Sequence, residues 1–349
     1  PVGAPQTLLT FAAGTYVAAD SVTISRTGVV TDSGGYTSPA ITQASQVLDS
    51  VKVSLVITAT GLPSVGRFKF ACDNWTDGDG NSLAQYSGEI VIPATPFHYA
   101  LPNTGIVVTF TNASFTVGDA FTFTSLPSTM TNGNIATAFT ALNTSGVAYS
   151  LMHVAGVYTA TNDAGALTAA DSLAGAIDTH TITNETAFKY TRAIVECPSA
   201  GSLYIETTSN PDIPAASTST DAQLVAQFQD YAATRGRVAV SAGDALLYSV
   251  LTGRLHQRNG AWIESARIAA VARAIDPGKV LLGSLGGIVR RIYSDQNSSS
   301  TLDAARFLTL RTFTGKPGYF VTRGVSMADE TSDFANLCNG RVMDLACST

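Results

Sequence analysis

Alternating apolar and polar side chains in the first third of the chain predict a set of β-strands. Val51–Thr60 (VKVSLVITAT) and Arg67–Cys72 (RFKFAC) repeat with a period of two, which is typical of strands that bury one face. Gly61-Leu62-Pro63 separates the two runs, and Gly88–Pro93 predicts a further strand. We therefore expect a small all-β module at residues 50–127.

Two stretches of this region resemble each other. Thr10–Ser25 (TFAAGTYVAADSVTIS) aligns without a gap on Thr109–Thr124 (TFTNASFTVGDAFTFT), and Asp20 falls on Asp119. Each copy predicts a strand, a turn and a second, alternating strand. In the second copy we expect Asp119 to accept backbone N–H bonds in the turn, with a calcium ligand as the alternative.

The first copy lacks the front half that precedes the second. We interpret residues 1–49 as a partial β-module and connector, and we expect the natural protein to extend upstream of Pro1.

After about residue 127 the pattern changes to helical periods that alternate with short apolar runs. Asp171 and Asp221 are the predicted N-caps of two of these helices. The predicted helices are 135–142, 172–180, 222–235, 263–274, a short one from 301, and 332–345. The predicted strands are 147–154, 193–197, 237–241, 309–312 and 318–323, the last two joined by the turn at 315–318. This alternation favours a layered α/β domain with a mixed sheet at residues 128–349. The expected fold class is thus α+β and multidomain, with small antiparallel β-sandwich-like modules preceding the α/β part.

Composition narrows the function classes. A chain of 349 residues exceeds one compact core, which agrees with two or three domains. Only 13 % of its residues are charged, and a surface rich in small and hydroxyl side chains suits close packing against copies of itself. With a net charge of −6 and no basic block, we expect no nucleic-acid partner. No apolar run is long enough to span a bilayer, so membrane insertion is not expected.

Basic residues gather between positions 235 and 291, whereas acidic residues dominate 70–120 and 160–230. Segregated charge of this kind can pair one surface with the opposite surface of another copy, which generates rings or helical tubes. Ordinary local salt bridges are the alternative. The basic residues are Arg235, Arg237, Arg254, Arg258, Arg267, Arg273, Lys279, Arg290 and Arg291.

No constellation of catalytic or metal-binding residues stands out, and we expect neither enzymatic activity nor a cofactor. Zinc is not expected because the cysteines form no CxxC pair, and buried free thiols are the default interpretation. The loop Asp73–Gly80 (DNWTDGDG) lacks the twelfth-position glutamate of an EF-hand. The run Gly283–Gly287 (GSLGG) lacks the Walker lysine and predicts a turn. The cysteines are Cys72, Cys197, Cys338 and Cys347, and the scattered histidines are His98, His153, His180 and His256.

The last fifty residues carry a family resemblance. Residues 301–346 contain a short helix, a strand of the type TLRTF, a Gly/Pro turn, a second strand in GYFVTRGVSMA and the helix NGRVMDLA. This order resembles the core of contractile tail sheath proteins of phages and phage-derived injection systems. The matching residues are Leu310, Arg311, Thr312, Phe313, Gly315, Gly318, Val321, Arg323, Asn339, Arg341 and Asp344.

The resemblance implies that residues 128–349 form a sheath core and that the chain is a structural subunit. Such a subunit assembles as stacked rings around a tail tube and contracts to drive the tube through the host envelope. The implied partners are other copies of the chain, the tail tube protein, the baseplate and the tail terminator. The implied location is the virion tail, assembled in the bacterial host cytoplasm.

Sheath proteins also carry terminal arms that add strands to neighbouring subunits. Either these arms lie outside residues 1–349, or the protein works without them. The alternative function is a tail-associated host- or glycan-binding protein in which the β-modules do the binding.

Overall fold

The computed structural model combines helices with several small sheets. It describes residues 25–27, 40–43, 51–73, 82–125, 129–130, 132–147, 149–155, 157–206, 214–228, 236–250, 252–292 and 301–348. The strands of the N-terminal part are β1 Ser25–Thr27, β2 Ala40–Gln43, β3 Val51–Ala59, β4 Arg67–Cys72, β5 Ile90–Val91, β6 His98–Ala100, β7 Ile106–Thr109 and β8 Ala120–Ser125.

The elements that follow alternate between the two types. The strands are β9 Thr129–Met130, β10 Leu151–Val154, β11 Val157–Ala160, β12 Arg192–Cys197, β13 Leu203–Glu206, β14 Pro214–Ala216, β15 Val238–Ala242, β16 Asp244–Tyr248, β17 Leu255–Asn259, β18 Ile288–Arg291, β19 Leu310–Phe313 and β20 Lys316–Val321. The helices are α1 Asn132–Thr144, α2 Asp163–Thr186, α3 Asp221–Phe228, α4 Gly260–Ala270, α5 Thr301–Ala304 and α6 Leu337–Ser348.

The N-terminal part is built from two antiparallel sheets. One has the order β1-β8-β3-β4-β5 and the other has the order β2-β7-β6. Side chains from both sheets share one apolar core, in which Val53 and Phe68 lie with Ile106 and Val108. The alternation of β3 and β4 thus places their apolar residues inward, as predicted. We refer to residues 51–125, together with β1 and β2, as the β-module.

Strands β1 and β2 pair with β8 and β7 of this module. The first repeat copy lies outside the described residues except for Ser25. In the second copy the turn prediction is confirmed, because the Asp119 Oδ2 accepts the Thr116 N–H at 2.9 Å. Gly118 in that turn has a φ of 96°, a conformation that glycine adopts at no steric cost.

A parallel sheet with the order β10-β12-β15 forms the centre of the remaining chain. Successive residues of its strands pack into two different cores, as the period of two requires. Val195 and Val240 share a core with residues of α2, whereas Ile194 and Ala239 share a core with residues of α4. We refer to the elements from β9 to α6 as the α/β part.

Smaller sheets surround this centre. They have the orders β14-β13-β11-β9, β17-β16-β18 and β19-β20. Leu308, just before β19, exchanges backbone hydrogen bonds with Val240 and Ala242 of β15, at 2.8 Å and 3.0 Å. The segment that carries the family resemblance is therefore attached to the edge of the parallel sheet.

Besides α1, which spans Asn132–Thr144 where 135–142 was predicted, three helices begin three or more residues away from the predicted start. The N-cap at Asp171 is wrong, because α2 begins at Asp163 and its Asn162 side chain accepts the Gly165 N–H at 2.8 Å. The alanine- and threonine-rich first turns of α2 show no clear apolar period, and burial of Ala166 and Leu167 in the folded chain decides their conformation.

The other two differences concern helix starts. Helix α4 begins at Gly260, because the Asn259 side chain accepts the Ala261 N–H at 3.0 Å and caps the helix there. Helix α6 begins at Leu337 and not at residue 332, because the Asn336 side chain accepts the Cys338 N–H at 2.9 Å. The second half of the predicted helix 222–235 lies outside the described residues. Within the described ranges, no helix is long and apolar enough to cross a membrane.

Candidate functional site

The residues that carry the family resemblance fold into a hairpin followed by a helix. Strands β19 and β20 pair antiparallel, with Leu310 opposite Val321 and Phe313 opposite Lys316. Gly315 lies in the turn with a φ of 76°. The two strands and the turn between them are therefore confirmed, although the turn falls at residues 314–315 and β20 begins at Lys316, two residues before the predicted strand.

Side chains of the hairpin pack on one another and on the preceding loop. The Arg311 guanidinium lies 4.2 Å from the centroid of the Phe313 ring, and Phe313 meets Phe320 edge to face at 5.2 Å. Gly318 has a φ of 90°, and a Cβ there would lie 2.6 Å from the Ser284 Cβ. Glycine is therefore required at position 318 both for its conformation and for the close approach of the loop.

The remaining matched residues are bonded within the chain. The Arg323 Nε donates to the Asp303 carboxylate of α5 at 3.0 Å. The Arg341 Nη2 donates to the Val271 carbonyl at 3.0 Å, which ties α6 to the end of α4. Thr312 lies in β19. Asn339 lies beside a surface cavity of about 340 Å³ next to α6, and the other residues of this cavity are Ala274, Asp333, Cys338, Val342 and Met343.

Asp344 is the centre of a buried ion network. Its Oδ2 accepts from the Arg192 Nε at 2.6 Å, and its Oδ1 accepts from the Arg237 Nη1 at 2.6 Å. Arg237 also donates from Nε and Nη2 to the Glu185 carboxylate at 3.0 Å. The network therefore joins α6 to the first residue of β12, to the residue before β15, and to the end of α2.

The charges of this network are held by neighbours of opposite sign. Burial lowers the pKa of the Arg192 guanidinium, and Asp344 opposes that effect. The pKa of Arg237 is raised, because the hydrogen bonds that it donates to Glu185 and Asp344 outweigh the lowering effect of burial. Both guanidinium groups lie 5.4 Å from the centroid of the Phe334 ring.

Gly340 makes this arrangement possible. A Cβ at that position would lie 2.1 Å from the Arg192 Nη2. Sequence reasoning singled out Asp344 but missed Arg192, Glu185 and Gly340. The available signal was a lone arginine at the start of each of two buried parallel strands, in TRAIVEC and GRVAVSA.

Several other basic residues of 235–291 contact groups within the chain. Arg254 is buried and forms a bidentate ion pair with Asp73, and the Arg258 guanidinium lies 5.9 Å from the centroid of the Trp262 ring. Arg267 donates to the carbonyls of residues 282–284, which fixes the GSLGG run as a bonded turn. Arg237 and Arg254 therefore form local salt bridges, the alternative considered above. Because both side chains are buried, they are unavailable to another copy.

The acidic groups near the carboxyl end of the parallel sheet have hydrogen-bond partners in most cases. The buried Asp244 carboxylate accepts from Ser202 at 2.7 Å, Gln257 at 2.8 Å and Asn259 at 3.1 Å. Burial raises its pKa, which these bonds oppose. Glu264 differs, because within the described residues neither of its buried carboxyl oxygens has a hydrogen-bond partner.

Each histidine has a polar partner. The contacts are His98 Nδ1 with the Thr109 hydroxyl at 2.9 Å, His153 Nε2 with Glu196 at 2.9 Å, His180 Nε2 with the Tyr149 hydroxyl at 2.8 Å, and His256 Nε2 with the Thr252 hydroxyl at 3.3 Å. In the described part of the chain, no three His, Cys, Asp or Glu side chains are grouped as metal ligands.

The cysteines are free thiols, as expected, but they are not uniformly buried. Cys197 is buried, Cys72 and Cys338 are half-buried, and Cys347 is exposed on α6. Burial raises the pKa of the Cys72 thiol to about 11 and that of Cys197 well above its ordinary value. In the loop 73–80, Asp73 binds Arg254 and the other residues lie outside the described ranges.

Together, these contacts define a chain of mixed helix and sheet whose matched polar residues make internal structural bonds. A family model described as "DUF2586, N-terminal domain" matches residues 12–325, and the chain belongs to this family. The match includes β19 and β20 but ends before α6. A comparison with proteins of curated function gives no match.

Solved structures with some likeness include one baseplate and two sheath proteins. One is from the anti-feeding prophage (AFP) baseplate, at 14 % identity and a TM-score of 0.37, with 62 % of this chain and 48 % of that chain covered. Another is from an extracellular contractile injection system, the PVC sheath complex in the contracted state, at 11 % identity and a TM-score of 0.35, with 50 % of this chain and 42 % of that chain covered. The sheath tail protein Lin1278 from Listeria innocua matches at 11 % identity and a TM-score of 0.36, with 85 % of this chain and 56 % of that chain covered. The chain thus spans about half the length of these proteins.

Proposed function

We propose that this protein is a structural subunit of a contractile tail sheath. Its α/β part is a layered sheath core that stacks in rings around a tail tube, and its β-module projects outward. Contraction moves the subunits as near-rigid bodies that repack against one another. The partners are other copies of the chain, the tube protein, the baseplate and the terminator, in the tail of a virion or of an injection particle assembled in the bacterial cytoplasm.

The observation that carries this proposal is the way in which the sheath-like segment is bonded. The motif residues Arg323, Arg341 and Asp344 each bind another element of the same chain, namely α5, α4 and the starts of β12 and β15. Residues that resemble a sheath motif thus hold the hairpin and α6 on the parallel sheet. A core tied together in this way can move as a near-rigid body, which the proposed contraction requires.

The same contacts support the proposal that the chain catalyses no reaction. Asp344 and Asp244 are saturated by arginine, hydroxyl and amide donors, and His153 pairs with Glu196. A general base must reach a proton on a substrate, and a nucleophile needs a base beside it. The carboxylates and imidazoles named here are instead bonded to residues that hold the fold together.

Electron microscopy of the purified full chain in negative stain tests the proposal. We expect striated tubes or rings, formed alone or with the tube protein. Discrete monomers or trimers that bind cell-surface sugar would overturn the sheath assignment in favour of a host- or glycan-binding tail protein. The observation that supports this second function is that the β-module has an apolar core of its own.

A variant at the tip of the β-module separates the two functions further. Val65 is 67 % exposed there, so Val65→Asp should leave the fold intact. If the module projects outward from a sheath, the variant should assemble as the native chain does. Loss of assembly in Val65→Asp would contradict the outward placement, and loss of sugar binding would favour the alternative.

A further inference from the structure

The β-module and the α/β part have separate hydrophobic cores. Among the residues that the structure describes, the core that contains Phe68 and Phe110 draws its members from positions 51–121, and the two larger cores of the α/β part draw theirs from position 135 onward. Parts of a chain that share no apolar core move relative to each other unless another contact holds them. The position of the β-module therefore depends on contacts of another kind.

A buried ion pair joins the two parts. Asp73 follows β4 of the module, and Arg254 precedes β17 of the α/β part, 181 residues further along the chain. The Arg254 Nε donates to the Asp73 Oδ2 at 3.0 Å, and its Nη2 donates to the Asp73 Oδ1. The two residues are only 9 % and 8 % exposed. This is a planar, bidentate arginine–carboxylate contact from which water is largely excluded.

Local backbone features position both partners of the ion pair. Asp73 has a φ of 62°, a left-handed conformation that aspartate tolerates better than most residues and that turns the chain at the end of β4. Arg254 lies at the tip of the hairpin β16–β17, where its carbonyl accepts the Ser249 N–H at 2.8 Å and its N–H donates to the Thr252 hydroxyl at 3.3 Å. Asp73 at the end of β4 and Arg254 just before β17 thus present one charge each.

We propose that the Asp73–Arg254 pair is the joint that fixes the β-module on the α/β part, and that the module reorients as a rigid body when this joint opens. A buried pair is sensitive to the loss of either partner, because the remaining charge is left in a poorly solvated site. The remaining partner gains water only if the two surfaces separate. Opening the joint therefore relieves the unpaired charge without unfolding either core.

Distance measurements between two spin labels test this joint on the full chain. The labels are attached to p-acetylphenylalanine in place of Val65 at the module tip and of Phe188 after α2, which are 67 % and 79 % exposed. This chemistry leaves the native cysteines unlabelled. The native chain should give one narrow distance distribution. Asp73→Asn and Arg254→Met should each broaden it about twofold or shift its centre, since the described residues form no apolar core that the module and the α/β part share.

The reversed pair distinguishes a charge joint from general damage to the fold. Asp73→Arg combined with Arg254→Asp should restore a narrow distribution, and Arg254→Lys, which keeps the charge but loses the bidentate fork, should fall between native and Arg254→Met. Glu89→Gln is the matched control, because it breaks the exposed Arg67–Glu89 contact of 3.8 Å inside the module. That control should leave the distances unchanged.

Two results would overturn the proposal. One is a distribution that stays native in Asp73→Asn and Arg254→Met, because the module is then held by other contacts. The other is a reversed pair that remains as broad as the single variants. Circular dichroism of every variant shows whether both cores remain folded, so that a broad distribution in a folded variant reports on the joint. The inference does not depend on the proposed sheath function and is measured on the isolated chain.

Discussion

Replacing Glu264 with glutamine should stabilise this protein at neutral pH and leave its stability almost unchanged in acid. Glu264 lies on α4 and is 0 % exposed. In the part of the chain that the structure describes, neither of its carboxyl oxygens makes a hydrogen bond of good geometry, although the Ser241 hydroxyl acts on the group as a weak partner. A buried, unpaired carboxylate is costly, so the group is held in its neutral form. Burial raises its pKa from 4.5 to about 7, and the nearby Ser241 hydroxyl opposes that rise.

The size and sign of the effect follow from the displaced pKa. Each pKa unit corresponds to about 1.4 kcal/mol, so a change from 4.5 to about 7 corresponds to roughly 3 kcal/mol. Because the folded pKa is the higher one, the folded state binds more protons than the unfolded state between these values. The contribution of Glu264 to stability is therefore fully present below pH 4.5 and is lost as the pH rises to about 7.

Urea denaturation of the native chain and of Glu264→Gln from pH 4 to pH 8.5 measures this contribution. The amide cannot ionise, and it can donate to Ser241 as the protonated carboxyl can. The difference in unfolding free energy should thus rise by roughly 3 kcal/mol in favour of the variant between pH 4.5 and 7, and then stay level. The exposed Glu89→Gln is the control and should show no such rise. A difference that is flat with pH would refute the reasoning, because Glu264 would then ionise as freely in the folded chain as in the unfolded one.

Other predictions concern the α/β part and the β-module. Asp344→Asn leaves Arg192 and Arg237 without their shared carboxylate and should lower the unfolding free energy by roughly 3 kcal/mol in urea titrations; an unchanged midpoint would contradict the network. Phe115→Ala, in the core of the β-module, should cost about 4 kcal/mol by calorimetry, and a cost below about 1 kcal/mol would mean that the site is not packed. Gly315→Ala places a side chain at a φ of 76° and should cost about 1 kcal/mol in the same titrations; a stabilising effect would exclude the left-handed turn. Iodoacetamide labelling followed by peptide mass spectrometry should modify Cys347 in the native chain and Cys197 only in denaturant, and rapid native labelling of Cys197 would argue against its burial.

Elements with a clear period were predictable from the sequence. The alternation in VKVSLVITAT and RFKFAC placed β3 and β4, and TLRTF with its following glycine placed β19 and its turn. Helix boundaries were less accessible. Asn162, Asn259 and Asn336 cap α2, α4 and α6, yet asparagine is equally common in loops, and only the folded backbone shows which N–H each side chain meets.

Only some residues of the candidate site could be predicted from the sequence. The resemblance in the last fifty residues singled out Asp344 and Arg341, but nothing local indicates the partners of these side chains. Asp344 binds Arg192 and Arg237, which lie 152 and 107 residues earlier in the chain. Arg237 belongs to the basic segment that favoured contacts between copies, and the folded chain uses it internally.

The sequence by itself determined most of the local elements of this protein and the division into an all-β segment followed by alternating helices and strands, and it carried the resemblance of residues 301–346 to tail sheath proteins. A period of two or of 3.6 acts within a few residues, so it can be read from neighbouring positions. The tertiary structure alone decided which charges meet. It joined Asp73 to Arg254 across 181 residues and placed Glu264 where its carboxyl oxygens lack partners. Electrostatic free energy depends on distance and solvent exposure in three dimensions, and neither quantity is encoded in the spacing of residues along the chain.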